Sequence, residues 1–217
     1  MSTRARGPHT LKGAFVTVDP ANPVPQVIAF TYNPSNLRRS LRPQQVGGEE
    51  GDRSEAVRFT AAPVQTITVE IEIDATDQLQ AGDPVAERLG ALPQLSAIEL
   101  LVYPSLAQID QTQSQLGSGV MEVSPLTGPR TLFVWGEKRV LPVRIASYEI
   151  TEEIFDNRLN PIRATVTIAM RVLTYSDLDA GNPEYFEFMT YQQALVTMAA
   201  QASPVALAAI GGAGTTF

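Results

Sequence analysis

The chain has 217 residues, a formal charge of −7 and 44% apolar residues, enough for one large β domain or two small ones. It has no cysteine, which excludes disulfides, thiolate nucleophiles and cysteine-ligated metals. The negative charge argues against general nucleic-acid binding, and no run of about 18 apolar residues is present to span a membrane.

Residues 1–10 carry Arg4 and Arg6 with no apolar stretch behind them, so they read as a flexible arm rather than a secretory signal. A first strand is predicted over 11–18, then a turn over 19–25 with three prolines. A second strand follows over 27–32, with Ile28, Phe30 and Tyr32 on one face, and stops at Asn33-Pro34. Residues 42–57, rich in Gly, Glu, Gln and Arg, read as an exposed loop. Over 66–74 the alternation has no error: Ile67, Val69, Ile71 and Ile73 oppose Thr66, Thr68, Glu70 and Glu72.

Two helical stretches interrupt the strands. Residues 83–89 form a short helix with Asp83 as N-cap and Pro84 at the first position. Over 93–102, Leu95, Ile98, Leu101 and Val102 recur at helical spacing, and Pro104 ends the run. The polar stretch 105–129 reads as another loop. Two hairpins come next. In the first, 131–135 and 138–145 flank Gly136-Glu137, read as a two-residue turn. In the second, 148–155 and 162–173 flank 156–161, and in its last strand Ala164, Val166, Ile168, Met170 and Val172 share one face. A helix over 185–200 starts at Asn182-Pro183-Glu184. Beyond it, 201–217 is an Ala/Gly-rich tail, flexible or ordered only on a partner. The organisation is therefore an arm, one β domain over 11–200 and a tail. The fold class is mainly β, an antiparallel sheet or barrel with one or two helices packed on one side.

No catalytic constellation emerges. The lone histidine, His9, lies in the arm, whereas a His-based triad needs a rigid scaffold. Asp74 and Asp77 suit the turn that ends a strand better than a hard-cation site, which gathers more oxygen ligands. Glu152, Glu153 and Asp156 invite a general acid/base reading, but alternation puts Glu152 and Glu153 on opposite faces, out of reach of one substrate atom. Gly47-Gly48 and Gly211-Gly212 lack the context of a phosphate loop. Trp135 beside a turn is a packing residue before it is a carbohydrate platform. No metal or cofactor is implied.

Five segments, in order, carry a resemblance. Phe30-Thr31-Tyr32-Asn33-Pro34-Ser35-Asn36-Leu37-Arg38-Arg39 is the first. The next is Ile71-Glu72-Ile73-Asp74-Ala75-Thr76-Asp77. The third is Leu92-Pro93-Gln94-Leu95 through Glu99-Leu100-Leu101 to Tyr103-Pro104. The fourth is Leu132-Phe133-Val134-Trp135-Gly136 with Arg139-Val140-Leu141-Pro142-Val143. The last is Ile150-Thr151-Glu152-Glu153 through Phe155 to Leu159-Asn160-Pro161-Ile162-Arg163-Ala164. Together they resemble the tube proteins of contractile injection systems, the group often fused to a C-terminal LysM module; no such module follows residue 200.

The resemblance implies a β-barrel-like sandwich of the phage tail-tube type, assembled as a six-membered ring whose strands line one channel. It implies a non-enzymatic subunit at the baseplate, a tube initiator or adaptor between a trimeric spike hub and the inner tube protein. Its partners would be itself, those two proteins and other baseplate components. Such a protein is made in the cytoplasm and built into a phage-tail-like particle. Thr66, Thr68, Glu70 and Glu72 are then the candidate lumen-facing residues. Tyr32, Asn33, Pro34, Leu37, Trp135, Asn160 and Pro161 are the candidate motif or interface residues. The bulk inner-tube protein is the alternative within this class. A monomeric β-sandwich binding module, with Trp135 as its ligand platform, is the alternative from another class.

Overall fold

The computed structural model describes residues 11–19, 22–46, 58–117 and 126–202. The expected arm with His9, the glycine pair at 47–48, most of the loop at 42–57 and the tail from 203 with its own glycine pair lie outside them. Seven strands form a single antiparallel sheet: β1 (Ala14–Asp19), β2 (Asn22–Ala29), β3 (Leu37–Val46), β4 (Arg58–Asp74), β5 (Arg130–Val134), β6 (Val140–Phe155) and β7 (Pro161–Val172). Their order across the sheet is β2-β1-β5-β6-β7-β4-β3. Among the described residues five helices accompany it, not one or two: α1 (Thr76–Gln80), α2 (Pro84–Leu89), α3 (Leu92–Glu99), α4 (Leu106–Gly117) and α5 (Pro183–Ala200).

The sheet curls, because the link that joins the start of β1 to β3 is short. Asn33 is tied to the start of β1, its Oδ1 accepting from Gly13 N at 2.8 Å and its Nδ2 donating to Leu11 O at 2.7 Å. By Leu37 the chain is already in β3, paired with Val69 of β4. Four residues reach at most about 14 Å, but β1 and β3 are five strand spacings apart, about 24 Å if the sheet were flat. The sheet must bend to bring them together. The curl stops short of a barrel, since β2 and β3 end the strand order without pairing to each other.

The concave side holds the core. Ile67, Val69, Ile71 and Ile73 of β4 and Ala164, Val166, Ile168, Met170 and Val172 of β7 are all buried, as the alternation predicts. Leu95, Ile98 and Leu101 from α3 and its C-terminal turn join them, as do Phe188 and Tyr191 of α5. At the other half of the sheet Phe15, Phe30 and Phe133 cluster with ring centroids 5.4–6.5 Å apart, in the offset geometries aromatic pairs favour.

Several expectations are corrected. The two predicted hairpins share a strand: 138–145 and 148–155 fuse into β6, with a bulge between Ile145 and Ser147, because only Ala146 and Ser147 separate them and no glycine, proline, asparagine or aspartate is there to reverse the chain. The Gly136 turn is longer than two residues, with Val134 paired to Val140 and Trp135 N donating to Arg139 O. The proline-rich 19–25 is partly strand, since β2 begins at Asn22; prolines are tolerated on an edge strand, where their missing N–H has no partner to lose. In the polar stretch 105–129 lies α4, with Ser105 Oγ accepting from Gln108 N. β3 runs on to Val46, past the predicted loop start at 42. Both predicted N-caps hold: Asp83 accepts from Val85 N and Ala86 N, and Asn182 from Glu184 N.

Candidate assembly surface

The convex face of β6, β7, β4 and β3 is a surface that the core does not use. Register builds it strand by strand. Thr66, Thr68, Glu70 and Glu72 of β4 lie opposite Arg171, Ala169, Thr167 and Thr165 of β7. Beyond β7, Thr167, Thr165 and Arg163 face Glu149, Thr151 and Glu153 of β6. On the other side, Arg38 and Ser40 of β3 face Thr68 and Thr66. The four β4 residues thus share the side away from the core, the threonines half-buried by their neighbours and the glutamates exposed.

At one end of this face Arg163 is bound to Asp74 by two hydrogen bonds, 3.0 Å from Nε and 2.7 Å from Nη2, with Glu72 at 3.5 Å. Burial pushes the Asp74 carboxyl up, but hydrogen bonds from Thr76 and the Arg163 charge outweigh it and hold it below the usual carboxylate range. Glu152 and Glu153 do lie on opposite faces, the first opposite buried Ala164 and the second opposite Arg163.

Each motif residue has a structural role inside the chain. Tyr32 donates its hydroxyl to Asp77 at 3.1 Å, and this hydrogen bond raises the phenol above its ordinary pKa. Asn33 anchors the edge-to-edge connection described above, Pro34 follows it in that connection, and Leu37 packs on the core. Trp135 stacks on Phe133 at 5.9 Å and closes over Phe30; the packing reading of this residue is the one the geometry supports. Asn160 Nδ2 donates to Asp156 Oδ2 at 2.8 Å and to Arg88 O at 3.1 Å. Pro161 O accepts from Ala91 N at 2.8 Å, so the base of the β6–β7 hairpin is docked on the α2–α3 junction.

Asp156 proves to be a loop clamp. Its Oδ1 accepts from Arg158 N and Asn160 N, and with the Asn160 side chain these bonds hold its carboxyl below the usual range. The hairpin end also carries two non-glycine residues at positive φ, Ile154 at 54° and Leu159 at 64°. Such a value is uncommon for a β-branched residue.

Apolar grooves are present, but their chemistry is plain. One, of about 400 Å³, lies between β1, β2 and the α3–α4 segment, and among the described residues its wall holds Tyr103 and no acid, histidine, lysine or arginine. Among the described residues no group of three or more His, Asp or Glu is placed to hold a metal, and no helix is long and apolar enough to cross a membrane.

What the sequence reading missed is the free backbone beside this face. β5 pairs with β6 only through Val140–Val143, so from Arg144 onward β6 has, among the described residues, a strand neighbour on its β7 side alone. Among the described residues β3 is likewise a free edge at the opposite margin. The available signal was charge: Arg38, Arg39 and Arg42 on one edge, and Glu149, Glu152 and Glu153 on the other.

No protein-family model matches the chain, and no curated protein is similar to it. Among solved structures, a chain in the cryo-electron microscopy structure of the anti-feeding prophage baseplate, six-fold symmetrised, is similar over 80% of this chain and 94% of that one. The identity is 14% and the TM-score 0.29.

Proposed function

We propose that this protein is a structural, non-enzymatic subunit of a contractile, phage-tail-like injection particle. It forms a six-membered initiator or adaptor ring between the spike hub and the inner tube, in contact with other baseplate components. The observation that carries the reading is the convex sheet face: four long strands, mostly polar on their outward side, Ala169 and Val64 apart, with edges that are unpaired among the described residues at both margins. An isolated domain gains nothing from two open edges, which invite uncontrolled association. A ring that joins edge to edge removes them and turns one face of every copy toward a common axis. The ordered motifs of the tube-protein group agree with that use. In the ring, Thr66, Thr68, Glu70 and Glu72 line the channel, and its acidic character repels acidic cargo in a salt-dependent way.

Native mass measurement and negative-stain imaging at micromolar concentration, alone and with a hub protein, test the reading. A closed six-fold species is expected. A strict monomer in both conditions overturns it.

A further inference from the structure

The two free edges of the convex sheet are complementary in sequence, residue for residue. We propose that copies of this chain join by antiparallel pairing of residues 38–42 of β3 with residues 149–153 of β6 in the next copy. The inference rests on the ring reading and names the contact that would close it.

Direction comes first. β6, β7, β4 and β3 are antiparallel neighbours in that order, so β6 and β3 run opposite ways. A second copy set beside β3 in the same orientation therefore offers its β6 antiparallel. The contact is head-to-tail, which allows a ring to close.

One register then satisfies every position. On the convex face it sets Arg38 opposite Glu153, Ser40 opposite Thr151 and Arg42 opposite Glu149. On the concave face it sets Arg39 opposite Glu152 and Leu41 opposite Ile150, and the pairing ends at Glu153 because Ile154, at a φ of 54°, leaves the extended conformation. Every pair is of a kind that stabilises a sheet: three of opposite charge, one apolar and one hydroxyl pair. Sliding by two residues either way puts Ser40 against a glutamate and leaves Arg38 without an acid. Sliding by one sets core-side residues against solvent-side ones.

The side chains are accessible. Arg38, Arg42, Glu149, Thr151 and Glu153 are exposed, and Leu41 is 53% exposed. Arg39 is half-buried and donates to Tyr191 Oη at 2.9 Å in its own chain, which holds its guanidinium in place. The third edge is a poor competitor, because Pro23 and Pro25 of β2 have no N–H to give.

Charge reversal tests the pairing. R38E/R42E makes both edges acidic, and E149R/E153R makes both basic. Each variant alone is expected to lose the oligomer that the wild-type protein forms. An equimolar mixture is expected to regain it, because each acidic edge then meets a basic one. Crosslinking gives an independent measurement with little change to the surface. The chain has no cysteine, and Ser40 and Thr151 of one chain are about 14 Å apart across the sheet. They are offset along the strands as well, since Ser40 lines up through Thr66 and Arg171 with Arg144, and so lie beyond the roughly 7 Å limit of a disulfide. Oxidised S40C/T151C protein should therefore run as a covalent ladder of copies. If either charge variant assembles as the wild type does, or the mixture stays monomeric and S40C/T151C gives no ladder, the pairing is overturned while the ring reading stands. A wild-type protein that stays monomeric both alone at its solubility limit and with a hub protein overturns both.

Discussion

The two halves of the sheet are built for different purposes. The β1, β2 and β5 half has short strands whose inward aromatics, Phe15, Phe30 and Phe133, are at most 2% exposed, and the Asn33 connection draws it over the core. The β3, β4, β6 and β7 half has strands of up to 17 residues. One face is as well buried as any core, yet its other face and its two margins are open. Stability thus resides in the concave side of both halves. The convex face of the long-strand half takes little part in that core, so substitution there costs the fold little.

That division predicts unequal responses to substitution. Phe133→Ala should cost about 3–5 kcal/mol, the ordinary loss for a buried aromatic, whereas Thr167→Ala on the convex face should stay within about 0.5 kcal/mol. Urea unfolding of both variants checks this, and similar losses would break the comparison.

A smaller effect sharpens it at the point where the long hairpin is seated on the helices. Gly90 has φ of 56°, and a Cβ there would stand 2.3 Å from Pro161 O. Neither strain nor overlap can be relieved by a side-chain rotation, since the obstacle is backbone. Gly90→Ala should cost about 2 kcal/mol or more, read as a fall in the unfolding midpoint.

The smallest effect concerns the ion pair on the convex margin. Asp74 is held below its ordinary pKa in the folded protein, so it contributes stability above the unfolded carboxylate value of about 3.9. That contribution is lost as pH falls through the lower folded value. Asp74→Asn should therefore cost about 1 kcal/mol at pH 7, a discounted figure because Arg163 is partly exposed. Its stability should also fall less than the wild type's between pH 5 and 2 in acid titrations. An identical acid dependence would remove Asp74 from the account.

Much of this was legible along the chain because it depends on neighbours in sequence. Alternation in 66–74 and 162–172 identified the buried and exposed faces of β4 and β7, since successive strand residues point to opposite sides. Asp83, Pro84 and Asn182 identified helix starts, since a cap bonds to N–H groups two or three residues on. The helix α4 was hidden by its polarity, and the fusion of two predicted strands into β6 by a bulge that leaves no mark in composition.

Only the tertiary structure decided which strands are neighbours, how far the sheet curls and where it stays open. Asn33 reads as a turn residue by sequence, but its effect comes from hydrogen bonds to residues some twenty positions away. The arginines of β3 and the glutamates of β6 look like unrelated solvated charges until the strand order puts them on the two unpaired margins of one sheet. Local periodicity fixes the face on which a side chain stands. Whether the backbone beside it is paired or free depends on contacts between distant segments, and no window of sequence contains them.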